Sequence, residues 1–311
     1  MSNAERVVNA VVIVILLVLL VLAMSIARRN FRTGRADRRG ASRVILYTIV
    51  SGFALWLAGA HHVATADGEF ETLFLTAAIF TLMAVVMGIV YLALEPYVRR
   101  FWPDSLLGWS RLITGHLHDP RVGRDVLTGA VFGVALSFVA LGRARILPLF
   151  GYPALLPTYG VAVDVLAGPG RLVGIWVGAS IDALEIALLT VLVFVVLRLL
   201  LRRTWLTITA GVVLMSMASV SEIGRPGTPL VWLFPLVSGA LVTLVVVRFG
   251  LIACAVALYV SIVMRAVPLR LDLSHWAAAP SAWTLALLAA LTGFGFYASR
   301  AGQPVFGRLG E

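Results

Sequence analysis

The chain has 311 residues, 60% of them hydrophobic and 13% charged, with a formal net charge of +10. A soluble domain carries about a quarter charged residues; a core cannot absorb this much apolar surface, so lipid must face part of it. All 25 cations are arginine, and the absence of lysine excludes a Walker A loop, a protein kinase's strand lysine and a Schiff-base nucleophile.

The first apolar segment covers residues 7–27, long enough to span a ~30 Å hydrocarbon core. Ser25-Ile26-Ala27 resembles a signal-peptidase site. The apolar run is too long for a signal peptide, however, and MSNAER nets no positive charge, so the segment is expected to stay as a helix. Seven arginines follow at once: Arg28, Arg29, Arg32, Arg35, Arg38, Arg39 and Arg43. Such a block belongs on the cytoplasmic side, which puts the N-terminus outside. It can also bind anionic headgroups or dock a cytoplasmic domain.

A second segment, 44–60, ends at His61-His62. The link after it carries Asp67, Glu69 and Glu71 and no arginine, as an outside loop can. His61, His62, Asp67, Glu69 and Glu71 could bind a metal there, but adjacent histidines on a helix point in different directions, so no ligand spacing is diagnostic; the stretch reads as a solvated turn. The third segment, 73–94, is predicted to stop at Glu95-Pro96, because proline is a poor interior helix residue. Glu95 and Arg99, four apart, read as a helix-end ion pair.

Residues 95–125 form the longest polar interruption. Arg99, Arg100, Arg111, Arg121 and Arg124 stand there with Trp102 and Trp109, the pairing expected of a cytoplasmic boundary, with the indoles as interface anchors. A short interfacial helix is predicted over 105–117, with Leu106, Trp109, Ile113 and Leu117 on one face and Asp104 as its cap. His116, His118 and Asp119 read as solvated polar residues.

The fourth segment is 126–141. The proline- and glycine-rich stretch 142–171 then argues against a regular span and suggests an outer or re-entrant segment. The fifth segment, 172–201, is long and contains Asp182 and Glu185, three apart and so on one helical face. Intramembrane acids are costly and mark a cavity, an ion site or a partner. The opposing reading is that the helix is longer than the bilayer, which leaves both acids at the outer interface. Segments at 205–220, 230–247, 251–267 and 282–299 complete nine, with the tail inside. The arginines test this path. The five inner segments hold seven, five, three, one and two of them in order, against seven in all the outer ones.

The expected architecture is therefore all-α: one integral-membrane domain over 1–311, a helical bundle of about nine spans. Gly129 and Gly133, and Gly174 and Gly178, are G-x-x-x-G pairs. They predict close packing of the fourth and fifth segments against each other. The basic charge is shared among short loops instead of forming one face, which argues for topology and against nucleic-acid binding. The one cysteine, Cys254, rules out an internal disulfide and a cysteine zinc cluster. Ser180 lacks the G-x-S-x-G setting and a membrane histidine. No cofactor and no catalytic chemistry is expected. A small-solute or ion transporter using Asp182 and Glu185 is the rival to a non-catalytic role.

Three stretches carry a family likeness: ARRNFRTGRADRRGA (27–41), YLALEPYVRRFWPDSLLGWSRLITGHLHDPRVGRDVLTG (91–129) and FYASRAGQPVFG (296–307). They resemble the membrane-embedded C-terminal region of large bacterial serine/threonine protein kinases of acidobacterial type. The resemblance implies a sensor or regulatory membrane region in the cytoplasmic membrane, working with a cytoplasmic kinase domain or as an oligomer. The chain holds no glycine-rich phosphate loop in a soluble setting, no HRD and no DFG, so no kinase residue is carried over. It is expected to be the membrane part without a catalytic domain, from a truncated gene or a stand-alone relative.

Overall fold

The computed structural model describes residues 3–60, 62–102, 107–151, 165–220, 229–269, 272, 274 and 278–301. The protein is all-helical. Its helices are α1 (Asn3–Arg32), α2 (Arg38–Gly59), α3 (Ala66–Phe101), α4 (Leu107–Ile113), α5 (Pro120–Ile146), α6 (Pro169–Leu201), α7 (Thr204–Val220), α8 (Pro229–Arg248), α9 (Leu251–Ala266) and α10 (Ala278–Ser299). Single 3-10 turns follow α5 (Leu147–Phe150) and precede α6 (Val165–Ala167). Six of the helices (α2, α3, α5, α6, α8 and α10) are long and apolar enough to cross a membrane, while α7 and α9 are shorter apolar helices.

The surface explains why these segments need lipid. Leu57, Phe70, Leu82 and Val131 are each more than 65% exposed, and Leu200 is 72% exposed. Water would charge roughly 25 cal/mol for each Å² of such area. The protein has the build of a helical membrane protein.

Two lobes pack around α6. One is α1, α2 and α3; the other is α5, α8, α9 and α10, with α7 laid on α8. α6 is mostly apolar, with no single apolar stripe, as suits a helix with several neighbours, and it touches α2, α3, α7 and α9. The main core includes Tyr91, Leu94, Val98, Trp109, Val122, Leu192, Phe194, Val245 and Leu251. A much smaller cluster, Val165, Leu172 and Val267, lies towards the other end. The main core sits where the ends of α1, α3, α6, α8 and α10 meet the starts of α2, α5 and α9. This is also the end that collects the arginines of 28–43 and 99–124.

Several sequence expectations change. α3 does not stop at Glu95-Pro96 but runs through Pro96 to Phe101. The short helix is Leu107–Ile113, narrower than predicted; its expected cap, Asp104, lies outside the described residues, as do His61 and residues 152–164 of the 142–171 stretch. The G-x-x-x-G pairs do not pack against each other. A Cβ on Gly129 would sit 2.6 Å from the Ala253 carbonyl oxygen, and one on Gly133 2.6 Å from that of Ala257, so this pair lets α5 lie against α9. Gly174 instead faces Gly59 of α2 at 3.1 Å, and Gly178 faces Leu55. Spacing alone reveals that a helix has a smooth face; it does not say which neighbour uses it.

Candidate functional site

The densest set of buried polar groups lies at the arginine end, where α1, α2, α3 and α4 meet. It begins with Pro96. Proline has no N–H, so the carbonyl of Leu92 four residues back loses its helical donor, and the ring pushes the local backbone apart. Asn30, 4% exposed, supplies the replacement from α1. Its Nδ2 donates to the Leu92 oxygen at 2.9 Å and to the Ala93 oxygen at 3.2 Å. The helix therefore continues past proline because another helix satisfies its orphaned acceptor.

Asp37 makes the second tie. Its Oδ1 accepts from the Gly40 N–H at 2.9 Å and caps α2. Its Oδ2 accepts from the Tyr91 hydroxyl of α3 at 3.0 Å. Tyr91 is fully buried and its ring tilts against that of Trp109, with centroids 6.2 Å apart. Glu95, one turn on, is buried and ion-paired with Arg99. On the far side of α4, Gly108 lies directly over the Asp125 carboxylate. Asp125 is 5% exposed; among the described residues Oδ1 has no hydrogen-bond partner, and it stands 3.7 Å from the Arg124 guanidinium. Asp119 caps α5 through the Arg121 N–H and faces Arg111 at 3.6 Å.

The described acids at this end, Asp37, Glu95, Asp119 and Asp125, are thus turned inward or used as caps. Arg28, Arg29, Arg32, Arg35, Arg38, Arg39, Arg43, Arg99, Arg100, Arg111, Arg121 and Arg124 are all exposed. Two lie over aromatic rings: Arg38 is 4.1 Å from the Phe31 centroid and Arg100 5.7 Å from that of Phe101. Of the two tryptophans, Trp109 does not sit as predicted. Trp109 is buried in the core as the anchor of α4, so it is no interface ring; Trp102 ends α3, half-buried against a small apolar cavity lined by Val98, Phe194, Val246 and Leu251. Sequence reasoning passed over Asn30, Asp37 and Asp125. The available signal was contrast, since Asn30 and Asp37 are the amide and the acid inside a run of arginines.

At the opposite end, the link between α2 and α3 holds a second polar set. His62 Nδ1 lies 2.5 Å from Glu69 Oε1, and its Nε2 lies 3.2 Å from the Leu57 carbonyl oxygen. Glu69 Oε2 also accepts from the Val63 N–H at 3.1 Å. The His62 ring stands edge-on to Trp56, with centroids 5.2 Å apart, and Trp56 reaches Thr72 of α3. The Glu69 carboxylate first, and the Leu57 carbonyl after it, raise the His62 pKa above its ordinary value; Arg171 at the start of α6 acts against them.

The structure leaves Asp182 and Glu185 away from both sets. Asp182 is exposed on α6 and Glu185 half-buried beside it. Asp182 lies roughly 20 Å along the helix from Pro169 and about 24 Å from Arg198 at 1.5 Å per residue, well inside α6. His116 contacts Thr114, and His118 contacts Phe294 and Tyr297, so the structure does not bring these histidines together. Among the described residues no group of three histidine, cysteine or acidic side chains is arranged to hold a metal. Comparison with protein-family models, curated proteins and solved structures finds no match for the chain.

Proposed function

We propose that this chain is the sensor or regulatory membrane region of a kinase-type signalling protein, with no catalytic chemistry of its own. The observation that carries the reading is the course of α3. It is one continuous 36-residue helix, about 54 Å long at 1.5 Å per residue. At one end it holds the 62–69 link; at the other it is tied to the arginine block through Asn30 and through Tyr91 and Asp37. A shift of α3 at the link is delivered to the arginines without passing through a flexible joint. The kinase partner comes from the sequence likeness at 27–41, 91–129 and 296–307.

In this reading α1 to α3 and α5 to α10 cross a bacterial cytoplasmic membrane nine times, N-terminus outside and C-terminus inside. The arginine end then faces the cytoplasm, where anionic headgroups and a cytoplasmic kinase domain, in this protein or in a partner, are its ligands. The test is reconstitution in nanodiscs containing phosphatidylglycerol, followed by addition of serine/threonine kinases from the host cell. A kinase that binds the wild type, and whose activity changes when Asn30→Leu cuts the tie to α3, supports the proposal. Absence of binding and of any activity change overturns it.

A second reading has one observation in its favour, the position of Asp182 and Glu185 well inside an apolar helix. Solute or ion flux through proteoliposomes that is lost in Asp182→Asn and Glu185→Gln would select transport instead.

A further inference from the structure

We propose that His62 and Glu69 form a proton-operated latch that closes the α2–α3 link when His62 is an imidazolium and opens it when the ring is neutral. A neutral imidazole has one donor nitrogen and one acceptor nitrogen, whereas the imidazolium has two donors. Both ring nitrogens of His62 face acceptors: the Glu69 carboxylate at 2.5 Å and the Leu57 carbonyl at 3.2 Å. Only the cation satisfies both contacts. A neutral ring must abandon one of them and turn a lone pair towards an oxygen.

The latch joins three pieces of backbone. Leu57 belongs to the last turn of α2, Val63 to the link and Glu69 to the first turn of α3. Glu69 holds two of these pieces at once, through His62 and through the Val63 N–H. The charged groups acting on His62 are Glu69 from α3, which favours the cation, and Arg171 from the start of α6, which opposes it. The geometry and the raised pKa agree in sign. A group whose folded pKa lies above its unfolded value contributes fully below the ordinary histidine range, about 6.5. That contribution is lost as pH climbs through the raised value. Opening therefore comes on the alkaline side.

This inference deepens the proposed function by naming the signal, hydrogen ion, and it rests on that reading for transmission along α3. The latch itself stands apart from it. The experiment uses the full chain in nanodiscs, with hydrogen exchange of residues 57–69 and, separately, of residues 28–43, each corrected for intrinsic exchange at pH 5.5 and 9. In the wild type the Val63 amide should be protected roughly tenfold more at the lower pH, as expected for one charge-assisted hydrogen bond. His62→Gln and Glu69→Gln should each abolish that difference while the rest of the bundle keeps its protection. Histidine-selective nitrogen NMR should place the His62 midpoint above 6.5 in the wild type, with Glu69→Gln lowering it. Equal protection of the link at both pH values, or a pH difference that survives His62→Gln, overturns the latch. Link opening with no change at residues 28–43 confirms the latch and counts against the sensor reading instead.

Discussion

Asn30 shows how one side chain can decide the length of a helix. An intrahelical proline costs about 3 kcal/mol or more through the lost hydrogen bond and the ring clash. In α3 that cost is partly offset by two hydrogen bonds from a buried amide of a different helix. Asn30→Leu should lower stability by about 1–3 kcal/mol, because a buried carbonyl is left without a donor. Pro96→Ala in the same background should recover much of the loss, since a backbone N–H then reaches Leu92 again. Melting of the four proteins of this double-mutant cycle in detergent gives the coupling. If Asn30→Leu costs as much with alanine at 96 as with proline, Asn30 does not serve the proline gap. The local sequence could not reveal this pairing. Asn30 and Pro96 are far apart in the chain, and nothing in an arginine block marks one amide as the donor for a distant carbonyl.

Among the elements, α5 and α9 approach closely, and the contact depends on the absence of side chains at Gly129 and Gly133. Backbone carbonyls of α9 stand where the two Cβ atoms would be, 2.6 Å away in each case. Backbone cannot rotate aside as a side chain can. Gly133→Ala should therefore push the helices apart and cost about 1–3 kcal/mol. Gly293→Ala in α10 meets nothing within 4 Å and should be neutral or stabilising by up to about 1 kcal/mol, since alanine is the better helix former. Thermal unfolding of the two variants side by side makes the comparison. Equal effects would mean that the α5–α9 approach is not set by these glycines. α4 belongs to the same scale. Seven residues are too few for a helix to persist alone, so it forms because Trp109 is held against Tyr91 on one side and Gly108 over Asp125 on the other. Of the face that suggested an interfacial helix there, Trp109 found the bundle, while Leu117 is exposed.

For the whole molecule, the charge distribution and the packing point the same way. The exposed arginines of 28–43 and 99–124 share one end of the bundle with the main core, while the acid-bearing link of α2 and α3 lies at the other, where Arg145 and Arg265 are also exposed. In the proposed orientation, a membrane-impermeant maleimide should label Ala64→Cys in intact cells and reach Ser42→Cys only after permeabilisation. Cys254 is buried, so the introduced thiols report alone. Labelling of Ser42→Cys from outside, with Ala64→Cys protected, would reverse the proposed topology and with it the cytoplasmic role of the arginine block.

The helical class, the apolar segments and the grouping of arginine followed from composition and periodicity, because lipid imposes length and polarity on each segment separately. The passage of α3 through Pro96, the partner of each glycine pair, the burial of Trp109 and the ties through Asn30, Asp37 and Glu69 did not. Those depend on which backbone acceptor, ring or smooth helix face arrives from elsewhere in the chain, and only the folded bundle brings them within hydrogen-bonding distance.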